Sequence, residues 1–190
     1  MRRGVFLDRD GTVIALFAGT GYLKRTKDMR LLSGAAQAIR ILNKAGYLVF
    51  ITTNQAIVAR GELTEKKLQA IHIALSDRLR RRGARVDAIY YCPHHPHGVV
   101  KKYRVICTCR KPKTGLLRRA ASEFNVDLKK SFIVGDHTRD ILAGKRAHMK
   151  TVLVATGHAG KDATYTVKPD FSAHNLLAAA RIITKSTSRR

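Results

Sequence analysis

Short apolar runs alternate with amphipathic stretches along the whole chain. Gly4–Leu7 is a β-prone run, and Ala35, Ile39 and Leu42 recur at helical spacing before Gly46 supplies a stop, predicting a helix over residues 34–45. Residues 47–52 form a second continuous β-prone run. Thr64 is placed to cap a long helix reaching residue 82, with Leu68, Ile71, Leu75 and Leu79 on one face. A short strand is expected over residues 88–91, followed by a loop rich in Cys, His and Pro over residues 92–112. Helix, strand, helix, strand and helix then follow over residues 115–124, 132–134, 138–147, 151–154 and 174–184, with residues 185–190 expected to form a disordered basic tail.

Strands that alternate with helices imply an α/β fold: a three-layer, Rossmann-like parallel sheet with helices on both faces. The chain shows no internal repeat and no linker, so a single domain is expected over residues 1–184. Sites in such folds lie outside the carboxyl ends of the strands. Asp8, Thr53, the Cys/His loop and Asp136 each follow a different predicted strand, which makes them the residues to examine.

Composition changes this picture in one respect. A chain of 190 residues with 45% hydrophobic and 26% charged residues has enough apolar material for one soluble core. No apolar run approaches the roughly 20 residues that span a bilayer. The start, Met1-Arg2-Arg3-Gly4, leads straight into a predicted strand without the long apolar segment of a secretory signal, so a cytoplasmic location is expected. The net charge of +24 is the unusual feature. Basic residues gather at Arg78, Arg80, Arg81, Arg82 and Arg85, at Lys129 and Lys130, and in the tail from Lys185 to Arg190. Such a surface attracts polyanions. No interleaved aromatics or nucleic-acid motif accompany these runs, so non-specific attraction is expected rather than dedicated binding.

The chemistry gathers around Asp8-Arg9-Asp10-Gly11-Thr12. Two carboxylates two residues apart at a strand tip can face one pocket. Asp8 is the candidate nucleophile for attack on phosphorus, and Asp10 the general acid that protonates the leaving oxygen and then the base that activates water. Gly11 permits a tight turn and Thr12 is expected to anchor the loop through its hydroxyl. A turn or cap role is the plain alternative for the acidic pair. Thr53 is placed to grip phosphate oxygens, Lys111 to supply a fixed cation beside the phosphoryl group, and Arg110 to grip the substrate further out. Asp136 and Asp8 together offer oxygen ligands suited to Mg²⁺. Asp140 either supports this site or favours the start of a helix.

All three cysteines, Cys92, Cys107 and Cys109, fall in one loop, and His94 follows the first. Three thiolates and one imidazole make a closed tetrahedral Zn²⁺ site of the structural kind, with His95 and His97 as competing ligands. Such a site would fix a long loop that delivers Arg110 and Lys111.

As a set, Asp8-x-Asp10-Gly-Thr, Thr53, Lys111 and Gly-Asp136-x-x-x-Asp140 resemble the four motifs of the haloacid dehalogenase superfamily, in the expected order. The runs Tyr90-Tyr91-Cys92-Pro93-His94-His95-Pro96 and Cys107-x-Cys109-Arg110-Lys111-Pro112 further resemble the subfamily that contains D-glycero-D-manno-heptose-1,7-bisphosphate 7-phosphatase and histidinol-phosphate phosphatase. The resemblance implies a minimal cap and a Mg²⁺-dependent phosphomonoesterase working through an aspartyl-phosphate. It implies Mg²⁺ on Asp8, Asp136 and the backbone carbonyl of Asp10, and structural Zn²⁺ on Cys92, His94, Cys107 and Cys109. Gly21, Tyr22, Thr53, Asn54, Gln55, Ala56, Arg110 and Lys111 would then meet the substrate. The expected partner is a small phosphorylated sugar, heptose 1,7-bisphosphate first and histidinol phosphate second, acted on by a monomer. A polyanion-binding protein on a phosphatase scaffold, or a nucleic-acid end phosphatase, is the reading from another class. Three departures bear on the substrate: a longer loop over residues 18–22, Gln55-Ala56-Ile57-Val58 in place of a Gln-Ser-Gly-Ile turn, and His137 where a Lys often follows the metal-binding Asp.

Overall fold

A computed structural model describes residues 1–16 and 22–187. Among these, six strands alternate with five α-helices: β1 (Gly4–Leu7), α1 (Ala35–Lys44), β2 (Leu48–Asn54), α2 (Glu65–Arg80), β3 (Ala88–Cys92), α3 (Gly115–Phe124), β4 (Phe132–Gly135), α4 (Thr138–Arg146), β5 (Lys150–Val154), β6 (Phe171–Ala173) and α5 (Leu176–Thr187). The strands form one sheet in the order β3-β2-β1-β4-β5-β6, and every pairing is parallel. The expected α/β class, with helices on both faces, is the observed one.

Strand periodicity explains the two cores. Val5, Leu7, Val49, Ile51, Phe132 and Val134 face one side of the sheet, where they pack with Leu42 of α1, Leu75 of α2 and Ile183 of α5. Phe6, Phe50 and Ile133 face the other, against Leu116 and Leu117 of α3 and Ala143 of α4. Both faces are covered, so β1, β2 and β4 are buried along their full length, and this is why their sequences read as unbroken apolar runs.

Several boundaries differ from expectation. β2 continues through Thr53 to Asn54, because β3 pairs with it as far as Cys92, so Thr53 lies inside the strand rather than after it. β6 was not expected: it has three residues, none fully buried, and so lacks an apolar run. α5 runs on to Thr187, which makes residues 185–187 helical instead of part of a tail; residues 188–190 lie outside the described residues. Thr64 caps α2 as expected, its side chain accepting from Lys67 N.

The strand order sets the site. From β1 the chain adds β2 and β3 to one side, then crosses to add β4, β5 and β6 to the other. The reversal leaves a crevice beyond the carboxyl ends of β1 and β4, where open α/β sheets bind ligands. Asp8 directly follows β1 and Asp136 directly follows β4.

Candidate active site and cysteine cluster

A cavity of about 340 Å³ opens at this crevice, lined by Asp8, Asp10, Leu16, Tyr22, Thr53, Asn54, Arg60, His137, Arg139 and His158. Both carboxylates of the first loop therefore face one space. Gly11 makes the turn directly after them with φ +80°, a conformation open to glycine at little cost. The Thr12 hydroxyl is buried without a hydrogen-bond partner among the described residues, so it does not anchor the loop as expected. That work falls to the backbone, where Val13 N and Ile14 N both donate to Arg9 O.

Lys111 lies below Asp8, almost wholly buried. Its Nζ donates to Asp8 Oδ1 at 2.9 Å and to Thr52 O at 2.6 Å, and pairs with Asp140 Oδ1 at 2.6 Å. Burial works against its charge, but Asp140 and Asp8 outweigh it and raise the lysine pKa. Burial alone would also protonate Asp8; Lys111, Arg139 and His137 overcome this and hold it below the ordinary carboxylate value. Asp8 is thus presented as an anion. Asp140 pairs with Lys111 and accepts from His137 N at 3.2 Å, at the start of α4.

Asp10 is placed differently. Burial raises its pKa, Arg9 opposes, and the charge on Asp8 adds to the rise, so the net effect favours the protonated form. Its carboxylate is oriented by Arg9 (Nη2 to Oδ2, 3.0 Å) and by Gln55 Nε2 (2.8 Å). Arg9 is the largest side chain with no exposed surface, and it also bonds Gln55 Oε1 at 2.9 Å and His72 Nε2 at 3.0 Å. Burial and the Arg9 charge lower the His72 pKa to about 3, which leaves the ring neutral and able to accept.

The side chains of two residues expected to meet the substrate lie outside the cavity lining. Gln55 does not line the cavity; its amide holds Asp10 and Thr53 Oγ1, the latter at 2.8 Å. Ala56 is fully buried in the interior, and its methyl does not reach the cavity. Asn54 lines the cavity and also grips the Lys111 backbone, Nδ2 to O and N to Oδ1, both at 3.0 Å. Tyr22 lines the cavity, and Gly21 lies outside the described residues. Arg110 donates to His94 O at 3.3 Å and shares a neighbouring groove with Lys111. Sequence reasoning missed Arg9, His72, Arg60, Arg139 and His158. Only His72 carried a legible signal, a lone imidazole inside the apolar stripe of α2.

The oxygen ligands for a hard cation converge. Asp8, Asp136, His137 and Asp140 each bring a ligand atom within 4.8 Å of the others. A Cβ on either Gly11 or Gly157 would collide with Asp136 Oδ2, so the chain keeps bare backbone where that carboxylate is approached. His158 N donates to the same oxygen at 2.7 Å and fixes its direction. Two buried carboxylates in this setting suit Mg²⁺.

Cys92, His94, Cys107 and Cys109 form the second cluster, again within 4.8 Å of one another. The sulfurs lie 3.5 Å (Cys92–Cys107), 3.1 Å (Cys92–Cys109) and 3.3 Å (Cys107–Cys109) apart, and none is in a disulfide. A tetrahedron of thiolates around zinc has sulfurs about 3.8 Å apart, so a small outward shift would complete it. His95 and His97 are not part of the cluster; the His95 ring accepts from His97 N.

Comparison with known proteins agrees with this geometry. Residues 108–179 match the family model described as HAD-hydrolase-like. A D-glycero-beta-D-manno-heptose-1,7-bisphosphate 7-phosphatase of Pasteurella multocida is 42% identical over 158 residues, covering 83% of this chain and 84% of that protein. The enzyme of the same name from Escherichia coli K12 is 38% identical, covering 80% and 79%. The crystal structure of D,D-heptose 1,7-bisphosphate phosphatase from B. bronchiseptica, complexed with magnesium and phosphate, superposes with a TM-score of 0.83 at 33% identity over 97% of this chain and 99% of that one. The chain belongs to the haloacid dehalogenase-like hydrolases, among the phosphatases that these relatives represent.

Proposed function

We propose that this phosphatase hydrolyses the 7-phosphate of D-glycero-D-manno-heptose 1,7-bisphosphate through an aspartyl-phosphate on Asp8. The observation that carries the mechanism is the opposite treatment of two neighbouring carboxylates: Asp8 is held ionised by Lys111, while burial biases Asp10 toward its protonated form. An anionic Asp8 attacks phosphorus, and the bond to the leaving sugar oxygen breaks as Asp10 delivers its proton. Asp10, now a carboxylate, takes a proton from water, which attacks the acyl-phosphate and regenerates Asp8 with release of phosphate. Thr53 and Asn54 border the same space and are assigned to the phosphoryl oxygens. Lys111 neutralises charge beneath it. Asp8 and Asp136, with the Asp10 carbonyl, are assigned as the Mg²⁺ ligands. When bound, the ion supplies charge neutralisation for the transferring phosphoryl group.

The substrate assignment rests on the names of relatives 38–42% identical to this chain and on the shared motifs. We assign Cys92, His94, Cys107 and Cys109 to structural Zn²⁺, which the spacing of the four ligand atoms supports. Free cysteines suit a reducing compartment, and we take the enzyme to act in the cytoplasm as a monomer. No helix among the described residues is long and apolar enough to cross a membrane. Phosphate release from heptose 1,7-bisphosphate, histidinol phosphate and a 3′-phosphorylated oligonucleotide, with and without Mg²⁺, tests the assignment. Highest kcat/KM on the heptose is expected; higher values on either other substrate overturn it.

A further inference from the structure

Arg139 is the second residue of α4 and is held on both sides. Thr138 before it bonds Asp162 through its backbone N (2.9 Å) and hydroxyl (2.7 Å), and Asp140 after it pairs with Lys111. The backbone therefore fixes where the guanidinium starts. Its side chain lines the cavity with Asp8 and Asp10, yet its buried Nε has no hydrogen-bond partner among the described residues. A buried donor left without a partner is unfavourable, the more so when charged, and a ligand accepting from it would complete it.

The surroundings indicate the chemistry of that ligand. Arg60 lines the same cavity, with its guanidinium 5.5 Å from the Tyr22 ring. Arg110 is half-buried; burial lowers its pKa, and repulsion from Arg139 contributes to the decrease. Arg110 and Arg139 both also feel the Tyr22 hydroxyl. Arg60 and Arg139 thus border one cavity beside Tyr22, with Arg110 in the adjoining groove. Guanidiniums of this kind bind phosphate oxygens bidentately.

We propose that Arg139 is a specificity-determining residue that binds the second, non-transferred phosphate of the substrate. The proposal rests on the bisphosphate reading above and extends it to a residue that sequence motifs do not mark.

The test compares heptose 1,7-bisphosphate with heptose 7-phosphate on the wild type and on Arg139→Ala, Arg139→Gln and Arg139→Lys, with a thermal melt of each. Arg139→Ala is expected to reduce the bisphosphate-to-monophosphate ratio of kcat/KM by about 10- to 100-fold, mainly through KM, the range for a lost charge-assisted hydrogen bond. Arg139→Lys is expected to recover part of the ratio. Arg139→Gln carries the same prediction as Ala should the smaller residue fail to fold. Equal losses on both substrates, or an unchanged ratio, would overturn the role given to Arg139 and leave the function intact. A wild type with no preference for the bisphosphate would overturn the substrate reading itself, and this proposal with it.

Discussion

The switch-point cavity and the cysteine cluster both hang from strand ends of one sheet, but they are held in opposite ways. Beneath the cavity three buried carboxylates meet a protein cation: Asp8 and Asp140 share Lys111, and Asp10 is held by Arg9, itself in contact with His72. In the cluster the thiols and imidazole chiefly contact one another, and the loop between them exposes Val99 (78%) and Ile106 (83%). The first site is organised by buried strands and ion pairs. The second has little core of its own, which is the situation in which a metal ion contributes folding free energy. Damage to the first is expected to remove chemistry with modest effect on folding, and damage to the second to remove stability first.

The largest expected effect is that of Asp8→Asn. Loss of the nucleophile should reduce turnover by ~10³-fold or more, while Lys111 keeps Asp140 as its partner and the fold survives. A folded variant with substantial activity would break the comparison at its strongest point. Next is Asp10→Asn, expected to slow alkyl phosphate hydrolysis by about 10²–10⁴-fold, the usual share of general acid–base catalysis. p-Nitrophenyl phosphate, whose leaving group needs little protonation, should suffer less. Equal losses on both would assign Asp10 a role other than proton transfer.

On the other side of the comparison, Cys107→Ser should lower zinc content and melting temperature together. Each kcal/mol lost shifts the melting temperature of a chain this size by about 2–4 °C, and elemental analysis of the purified protein reads the metal. Unchanged stability with lost zinc would make the cluster an ornament of the loop. The smallest effect concerns how this loop is tied to α2. Glu65 accepts from Tyr91 Oη (2.9 Å) and from Tyr103 Oη (2.6 Å). The Tyr103 bond dominates over desolvation and lowers its pKa. A folded-state pKa below the unfolded one contributes stability above the unfolded value and loses it as pH falls through the folded value. Glu65→Gln should therefore melt about 2–4 °C lower at neutral pH, for roughly 1 kcal/mol lost, and converge with the wild type in acid. A gap independent of pH would mean the charge is irrelevant.

Most of the fold was legible because its signal is local. Val5-Phe6-Leu7 and Phe132-Ile133-Val134 are apolar because both sheet faces are covered, and Thr64 announces α2 by its own capping chemistry. β6 was not, since three edge residues, none of them fully buried, carry too short a pattern to read. Asp8, Asp10, Lys111 and Asp136 could be read from motif spacing. Arg9 could not: an arginine between two aspartates reads as surface, and only the fold shows that Asp10, Gln55 and His72 enclose it. The surroundings of Gln55 and Ala56 were hidden for a related reason. Sequence places them beside Thr53 and Asn54, but the turn after β2 directs Gln55 to Asp10 and buries Ala56. Arg139 gave no signal because its meaning lies in a missing partner, which only three dimensions reveal.

The covalent step is open to direct observation. Acid-quenched enzyme taken during steady-state turnover of heptose 1,7-bisphosphate, then reduced with borohydride, converts an aspartyl-phosphate to homoserine that peptide mass spectrometry can locate. Homoserine at position 8, absent when substrate is omitted, is the predicted result. Homoserine at another position, or none while turnover proceeds, would contradict a covalent role for Asp8.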